Sequence, residues 1–342
     1  MSVSRYHTRL VPSPTTTKSA HSADQTPALF QAEWPKSLQP TLLSKTANVA
    51  WNIFSVIVFP IGLLRIANHI TFRLAGILIH PASGISSADD RIRMQLAKLG
   101  GQLTQFRTPD NERLEAMLFK GSSSNRRAIV YSPGNNADLE LVSKNFLQFV
   151  RQNVGNVDVL ILNHRGVGNS TGYSSPKGLA LDTYAAGEYL HKTRSADPSG
   201  IVFYGHSLGG YAALKGALLF QQHHPLAKVS AVNDRSFGSL SDAAAKIIGF
   251  MAGWLIHLCQ WQLDARDSLD VLKGRKLVIY DKADRNIPFH ASFFQAIRNL
   301  SSSKMTYPIE LISKGVDALD PHCRNFNASE AKKIGQEIRQ AL

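Results

Sequence analysis

The decapeptide Ile201-Val-Phe-Tyr-Gly-His-Ser-Leu-Gly-Gly210 leaves few options to the chain around it. Its four apolar residues predict a buried strand, and Tyr211-Ala-Ala-Leu-Lys-Gly-Ala-Leu-Leu-Phe220 predicts a helix. Gly205-His206-Ser207-Leu208-Gly209 must therefore turn the chain sharply between them. A serine at the apex of such a turn is driven into a strained backbone conformation with its hydroxyl exposed, and glycines two residues to either side leave the room the turn requires. Because the turn ends at a helix N-terminus, the Leu208 amide has no carbonyl within the helix to bond and points to where negative charge could form beside Ser207. A glycine-rich turn with an incidental serine has the same five residues. The strand before and the helix after are what favour a nucleophile.

The 342 residues, 44% of them hydrophobic, suffice for one large domain with an extension beside it. The formal charge of +13 comes from scattered pairs such as Arg126-Arg127 and Lys332-Lys333, without a long basic run or interleaved aromatics. That pattern speaks against nucleic acid and for a solvated basic surface, with attraction to anionic lipid headgroups as the other reading. Cys259 and Cys323 suggest neither a disulfide framework nor a C-x-x-C metal site.

Residues 1–45 are rich in Ser, Thr and Pro and lack an apolar period, which predicts a disordered tail. The first long apolar run, Val49 to Leu64, begins too late for a cleavable signal peptide and falls short of the roughly 20 residues a bilayer span needs. Ile66 to Ile79 continues it with polar and cationic breaks. Residues 46–100 therefore read either as a membrane-embedded or interfacial hairpin anchored by Trp51 and Arg65, or as helices covering the folded domain. The corresponding locations are membrane-associated or cytoplasmic.

From Gly101 the pattern becomes strand and turn, then strand alternating with helix, which argues for a mostly parallel sheet covered on both faces. Leu103–Thr108 and Arg113–Phe119 flank a turn, and Arg127–Tyr131 opens into Ser132-Pro-Gly-Asn-Asn-Ala137. Val157–Leu162 leads to Asn163-His-Arg-Gly-Val-Gly-Asn-Ser-Thr-Gly172. Together with the G-x-S-x-G turn, these motifs resemble the α/β-hydrolase superfamily over Gly101 to Leu342. Residues 132–140 and 236–240 are similar to a chlamydial branch of serine hydrolases.

The resemblance implies an α/β-hydrolase fold for residues 101–342: a twisted, mostly parallel sheet with helices on both faces, a helical cap inserted at about 239–266, and an apolar N-terminal helical extension. It also implies Asn135, after Gly134, as the second oxyanion donor beside Leu208, although Pro133 stands where related hydrolases carry histidine. His164 and Arg165 are then residues that hold their loop. Within the insertion, Ala243 to Trp261 is apolar on nearly every side. It reads as one cap helix whose exposed face meets an acyl substrate, or as a buried helix; a membrane span would be topologically awkward between core strands.

The late strand Lys276–Tyr280 is followed by Asp281-Lys-Ala-Asp-Arg-Asn-Ile-Pro288, where the superfamily pattern puts the acid at Asp284. Asp281, standing where the family has glycine, is the second candidate and Asp234 the third. Of twelve histidines, His322 alone follows the last strand, Pro308–Ile312. The order Ser207, Asp284, His322 is the α/β-hydrolase order. A serine hydroxyl is a weak nucleophile, so a histidine must take its proton and an aspartate must hold the imidazole in the right tautomer. Asn327, with Glu330 three residues on, starts the final helix. The resemblance thus implies a serine hydrolase cleaving a carboxylic ester or thioester of an acyl or lipid-like substrate through an acyl-enzyme, with no metal or organic cofactor. A membrane-associated scaffold or binding protein that keeps the fold without the chemistry is the alternative.

Overall fold

The computed structural model describes residues 29–57, 59–82, 89–122, 126–300 and 306–342. Eight strands form one sheet in the order β1-β2-β4-β3-β5-β6-β7-β8. They are β1 (Gly101–Arg107), β2 (Arg113–Phe119), β3 (Ala128–Ser132), β4 (Asp158–Leu162), β5 (Ile201–His206), β6 (Ser230–Asp234), β7 (Lys276–Asp281) and β8 (Thr306–Leu311). β2 is antiparallel to both β1 and β4, and every pairing from β4 to β8 is parallel. Strands β3 and β4 are buried at every residue, as expected of central strands covered on both faces, and this is why they read as continuous apolar runs.

The helices are α1 (Leu42–Ile57), α2 (Phe59–Ile79), α3 (Asp90–Lys98), α4 (Leu139–Asn153), α5 (Pro176–Arg194), α6 (Leu208–His223), α7 (Leu240–Ile247), α8 (Phe250–Leu258), α9 (Ser268–Val271), α10 (Phe293–Ile297) and α11 (Ala328–Ala341). One face of the sheet packs against α3, α4 and α11 through a cluster that includes Ile129, Tyr131, Leu147 and Ile334. The other packs against α5, α6 and α9 around Phe203, Tyr184 and Phe220. Polar side chains fix where helices begin. Asp138 accepts from the Leu141 amide at 3.0 Å, Ser175 caps α5 ahead of Pro176, and Asn327 with Glu330 forms a capping box at α11.

Arg165 donates to Asp110 Oδ2 at 2.8 Å and to Asp182 Oδ1 at 2.9 Å, tying the β1–β2 turn, the glycine-rich loop and α5 together. Burial opposes the charge on Asp182, but the Arg165 guanidinium outweighs it and holds the carboxyl below the usual range.

The structure departs from two expectations. The predicted tail lies outside the described residues as far as residue 28. The stretch from residue 29 is not structureless: Ala32 N donates to Arg107 O at 3.0 Å, Arg107 N donates to Phe30 O at 2.7 Å, and Ala32 is buried against the core. Edge strand β1 supplies backbone groups that need partners, and a segment without any apolar period meets that need. The expected single helix over 243–261 is two helices, α7 and α8, broken at Gly249, whose φ of 130° no helix accommodates.

Helices α1 and α2 form a hairpin, with Arg65 donating to Asn52 Oδ1 at 2.8 Å. Its far end is fastened to the sheet domain. Phe72 O accepts from Trp261 Nε1 at 2.9 Å, His80 Nδ1 pairs with Ser174 Oγ at 2.8 Å, and Ala82 N donates to Asn135 O at 3.2 Å.

The β5–α6 turn is the tightest point. A Cβ on Gly205 would overlap the Gly209 carbonyl, and one on Gly209 would overlap the Ser132 carbonyl at the end of β3. Because both obstacles are backbone, they cannot rotate away. Gly209→Ala is therefore expected to lower the unfolding free energy by about 3 kcal/mol, measured by urea denaturation; a change below about 1 kcal/mol would show that the turn relaxes.

Candidate active site

Ser207 caps α6 with φ 55° and ψ −122°, a left-handed conformation that costs a residue with a side chain about 1–3 kcal/mol. Its amide donates to Asp234 O at 2.9 Å, so the end of β6 holds the turn in place. The side chain stands at the C-terminal edge of the sheet, where loops after separate strands converge.

The structure brings together Ser207, Asp284 and His322. His322 Nε2 lies 3.0 Å from Ser207 Oγ, and His322 Nδ1 lies 2.7 Å from Asp284 Oδ2. Asp284 Oδ1 accepts from the amides of Asn286 and Ile287, each at 2.9 Å, which aims Oδ2 at the imidazole. An ionised aspartate can only accept, so Nδ1 carries the hydrogen and the lone pair of Nε2 faces the Ser207 hydroxyl. All three residues are buried.

The other two acidic candidates have different partners. Asp281 accepts from the Ala283 amide at 2.8 Å and from Ser313 Oγ. Asp234 is held by Arg235, with Nε at 2.8 Å and Nη2 at 3.0 Å, and by Tyr204 Oη at 2.8 Å. Burial alone would raise the Asp234 carboxyl; the Arg235 guanidinium overcomes this and holds it below the usual carboxylate range. Arg235 also donates to the carbonyls of Pro321 and Arg324, at 3.3 and 2.9 Å, and so clamps both sides of the His322 loop.

Leu208 is the first residue of α6, and Asn135 lines the cleft beside Ser207. The Gly134 Cα is close enough that a Cβ there would lie 3.3 Å from Ser207 Cβ, so the β3 loop passes directly against the serine. His206 has no predicted role from its spacing, yet its Nε2 donates to His322 O at 2.9 Å and its ring lies 4.9 Å from that of His322. The only hint in the sequence is its place inside the turn motif. Burial, with the Arg235 charge next, lowers the His206 imidazole to about 4.

A cleft of about 870 Å³ opens over these groups. Tyr131 and Tyr204 line it, α4 contributes Leu141, Val142, Phe149 and the amides of Asn145 and Gln148, and Phe326 packs edge-on against Phe149. Among the described residues none from 239–266 lines it. The expected cap does not border this cleft: the cleft runs along the α4 and α11 face, whereas Ala243 and Trp261 pack into the core cluster on the other face.

This strand order, with a strained serine between a parallel strand and its helix, defines an α/β-hydrolase fold. The crystal structure of alpha-beta hydrolase (ABH) from Vibrio vulnificus has the same fold, with a TM-score of 0.60, 16% identity, and coverage of 79% of this chain and 93% of that one. The chain belongs to the family described as Chlamydia CHLPS protein (DUF818), whose family model matches residues 113–302. It is similar to alpha/beta hydrolase domain-containing protein WAV2 of Arabidopsis thaliana, 37% identical over 100 residues, covering 29% of this chain and 30% of that protein. It is also similar to protein bem46 of Schizosaccharomyces pombe, 26% identical over 174 residues, covering 49% of this chain and 55% of that protein. The matched regions thus span about half, or less, of the length of these relatives.

Burial, with His164 next, lowers His80 to about 3, in the same direction as His206. Between about pH 6.5 and 4 the unfolded chain therefore binds protons that the native chain does not, so this stability, complete above pH 6.5, is lost as pH falls. His80→Gln is expected to flatten the fall in unfolding free energy between pH 7 and 5 by up to about 1.4 kcal/mol per pH unit, read from urea melts at each pH; an unchanged slope would refute the assignment.

Proposed function

We propose that the chain is a serine hydrolase that cleaves a carboxylic ester or thioester through an acyl-enzyme. One observation carries the reading: the hydrogen-bonded series from Ser207 Oγ through His322 to Asp284, at 3.0 and 2.7 Å. Ser207 Oγ attacks the carbonyl carbon as its proton passes to His322 Nε2, and the carbonyl π electrons move onto the oxygen. The Leu208 and Asn135 amides donate to that oxyanion. Collapse expels the alcohol or thiol, which takes the proton from His322, and a water activated by the same nitrogen then releases the acid and restores the serine. Asp284 stabilises the imidazolium in both halves without accepting the proton itself. The reaction calls for no metal or organic cofactor.

The substrate is an acyl compound, with the chain along Leu141, Val142, Phe149 and Phe326 and a polar portion facing the amides of Asn145 and Gln148. Contact with a membrane surface supplies such substrates. The support is the amount of apolar surface left outside the core: Leu64 on α2 is 70% exposed, Leu78 is 81% exposed and Phe250 on α8 is 76% exposed. An exposed apolar surface of this extent is costly in water and marks a contact site. No described helix is long and apolar enough to cross a membrane, so the contact proposed is one in which the helices lie in the headgroup region, helped by the basic surface.

A fluorophosphonate probe is expected to label the protein at Ser207, with no labelling of Ser207→Ala. Asp284→Asn should lower the turnover of p-nitrophenyl esters about 10⁴-fold, whereas Asp281→Asn should remain labelled. Folded protein that resists the probe would favour the scaffold reading instead. In vesicle co-sedimentation, the full chain is expected to pellet with phosphatidylglycerol-containing vesicles, and Leu64→Glu with Leu78→Glu to stay largely in the supernatant. Wild-type protein wholly in the supernatant would remove the membrane contact while leaving the chemistry standing.

A further inference from the structure

At the end of α6 opposite Ser207, three potential metal ligands converge in a place the proposed reaction does not use. His223 ends the helix and His224 follows it, while Glu188 projects from α5. His224 Nε2 lies 2.6 Å from Glu188 Oε1, the two imidazole rings are 5.0 Å apart, and one ligand atom from each of the three residues lies within 4.8 Å of the others. Glu188 is only 2% exposed. A carboxylate that deep needs compensating charge or several donors, because transfer of an isolated charge from water is strongly unfavourable.

A second group in the same place is short of a partner. Tyr184, one turn before Glu188, is fully buried, and its hydroxyl has no hydrogen-bond partner among the described residues. Its ring lies 5.9 Å from that of His223. Beside the cluster is a shallow hollow of about 400 Å³ whose lining includes both histidines, Asp197 and Ser199. The hollow leaves a route of entry and room for a water ligand.

We propose that Glu188, His223 and His224 bind a divalent transition-metal ion of the zinc class. Two imidazole nitrogens and one carboxylate oxygen suit zinc, whereas magnesium and calcium favour oxygen ligands throughout. Ligand atoms already within reach of one another need only small side-chain rotations to close around an ion with bonds of about 2.0–2.2 Å, with water as the fourth ligand. The ion lies about 24 Å from Ser207, the length of the sixteen-residue helix α6. At that distance it takes no part in catalysis: it joins the end of α6 to α5 and neutralises the buried carboxylate. Its existence does not depend on the proposed reaction.

The test uses untagged full-length protein stripped with EDTA and titrated with zinc chloride by calorimetry. One equivalent is expected to bind saturably and to raise the unfolding temperature, and cobalt(II) in its place should give the visible absorption of a tetrahedral site. Glu188→Gln and His224→Ala should each weaken zinc binding at least tenfold and abolish the temperature shift, while Ser207 remains open to the fluorophosphonate probe. If His224→Ala does not fold by circular dichroism, Glu188→Gln and His223→Gln decide the matter. Absence of saturable one-equivalent binding to folded wild type, or unchanged affinity in the folded variants, overturns the proposal.

Discussion

The backbone at Ser207 is folded so tightly that the rest of the sheet's open edge has to be built around it. A left-handed serine between β5 and α6 is tolerable only because Gly205 and Gly209 let three stretches of main chain touch: the turn, the first turn of α6, and the carbonyl of Ser132 at the end of β3. Since β3 and β5 are neighbours in parallel register, that contact brings the Gly134-Asn135 loop alongside the serine. Strain of a few kcal/mol persists here because the surrounding parallel strands are buried and cannot relax it.

Charge is arranged around this edge by specialisation among three aspartates. Asp234 is committed to Arg235, which steadies the loop before and after His322 through two carbonyls. Asp281 anchors Ser313 in the segment after β8. Asp284, held by two amides, has an oxygen left for the imidazole. His206 then supports His322 from the other side, through its carbonyl. Asp284, Arg235 and His206 thus all act on the position of one imidazole.

The two faces of the sheet have different surroundings. Aromatic and amide side chains of α4 border the cleft on one face, and the other carries the apolar α8 and the end of α2. The α1–α2 hairpin nevertheless reaches the cleft, since the chain leaving it donates from Ala82 to the carbonyl of Asn135. The exposed apolar hairpin and the loop beside Ser207 are thus joined through one peptide group, while the buried His80 ties the same end of the hairpin to Ser174.

Much of this is legible in the sequence. The strand, turn and helix around Ser207 are local events, written in a run of apolar residues and two glycines, and the alternation of strands with helices carries the parallel sheet because periodicity reports burial. Where the outcome depended on long-range partners, sequence left alternatives or misled. Phe30–Ala32 pair with the end of β1 although nothing in the composition around them marks an edge partner. The apolar stretch 243–261 breaks at Gly249 because an apolar helix pattern does not register a single left-handed residue. Three aspartates end or follow strands that finish at the same edge, and only the folded chain separates the one facing His322 from the two held elsewhere. By itself, then, the sequence determined the strained turn at 207 and the layered α/β architecture, both of which are governed by steric and apolar patterns among near neighbours. The tertiary structure decided which carboxylate, which second histidine and which face of the sheet meet that serine, because those relations join residues tens to more than a hundred positions apart, and local pattern carries no information about them.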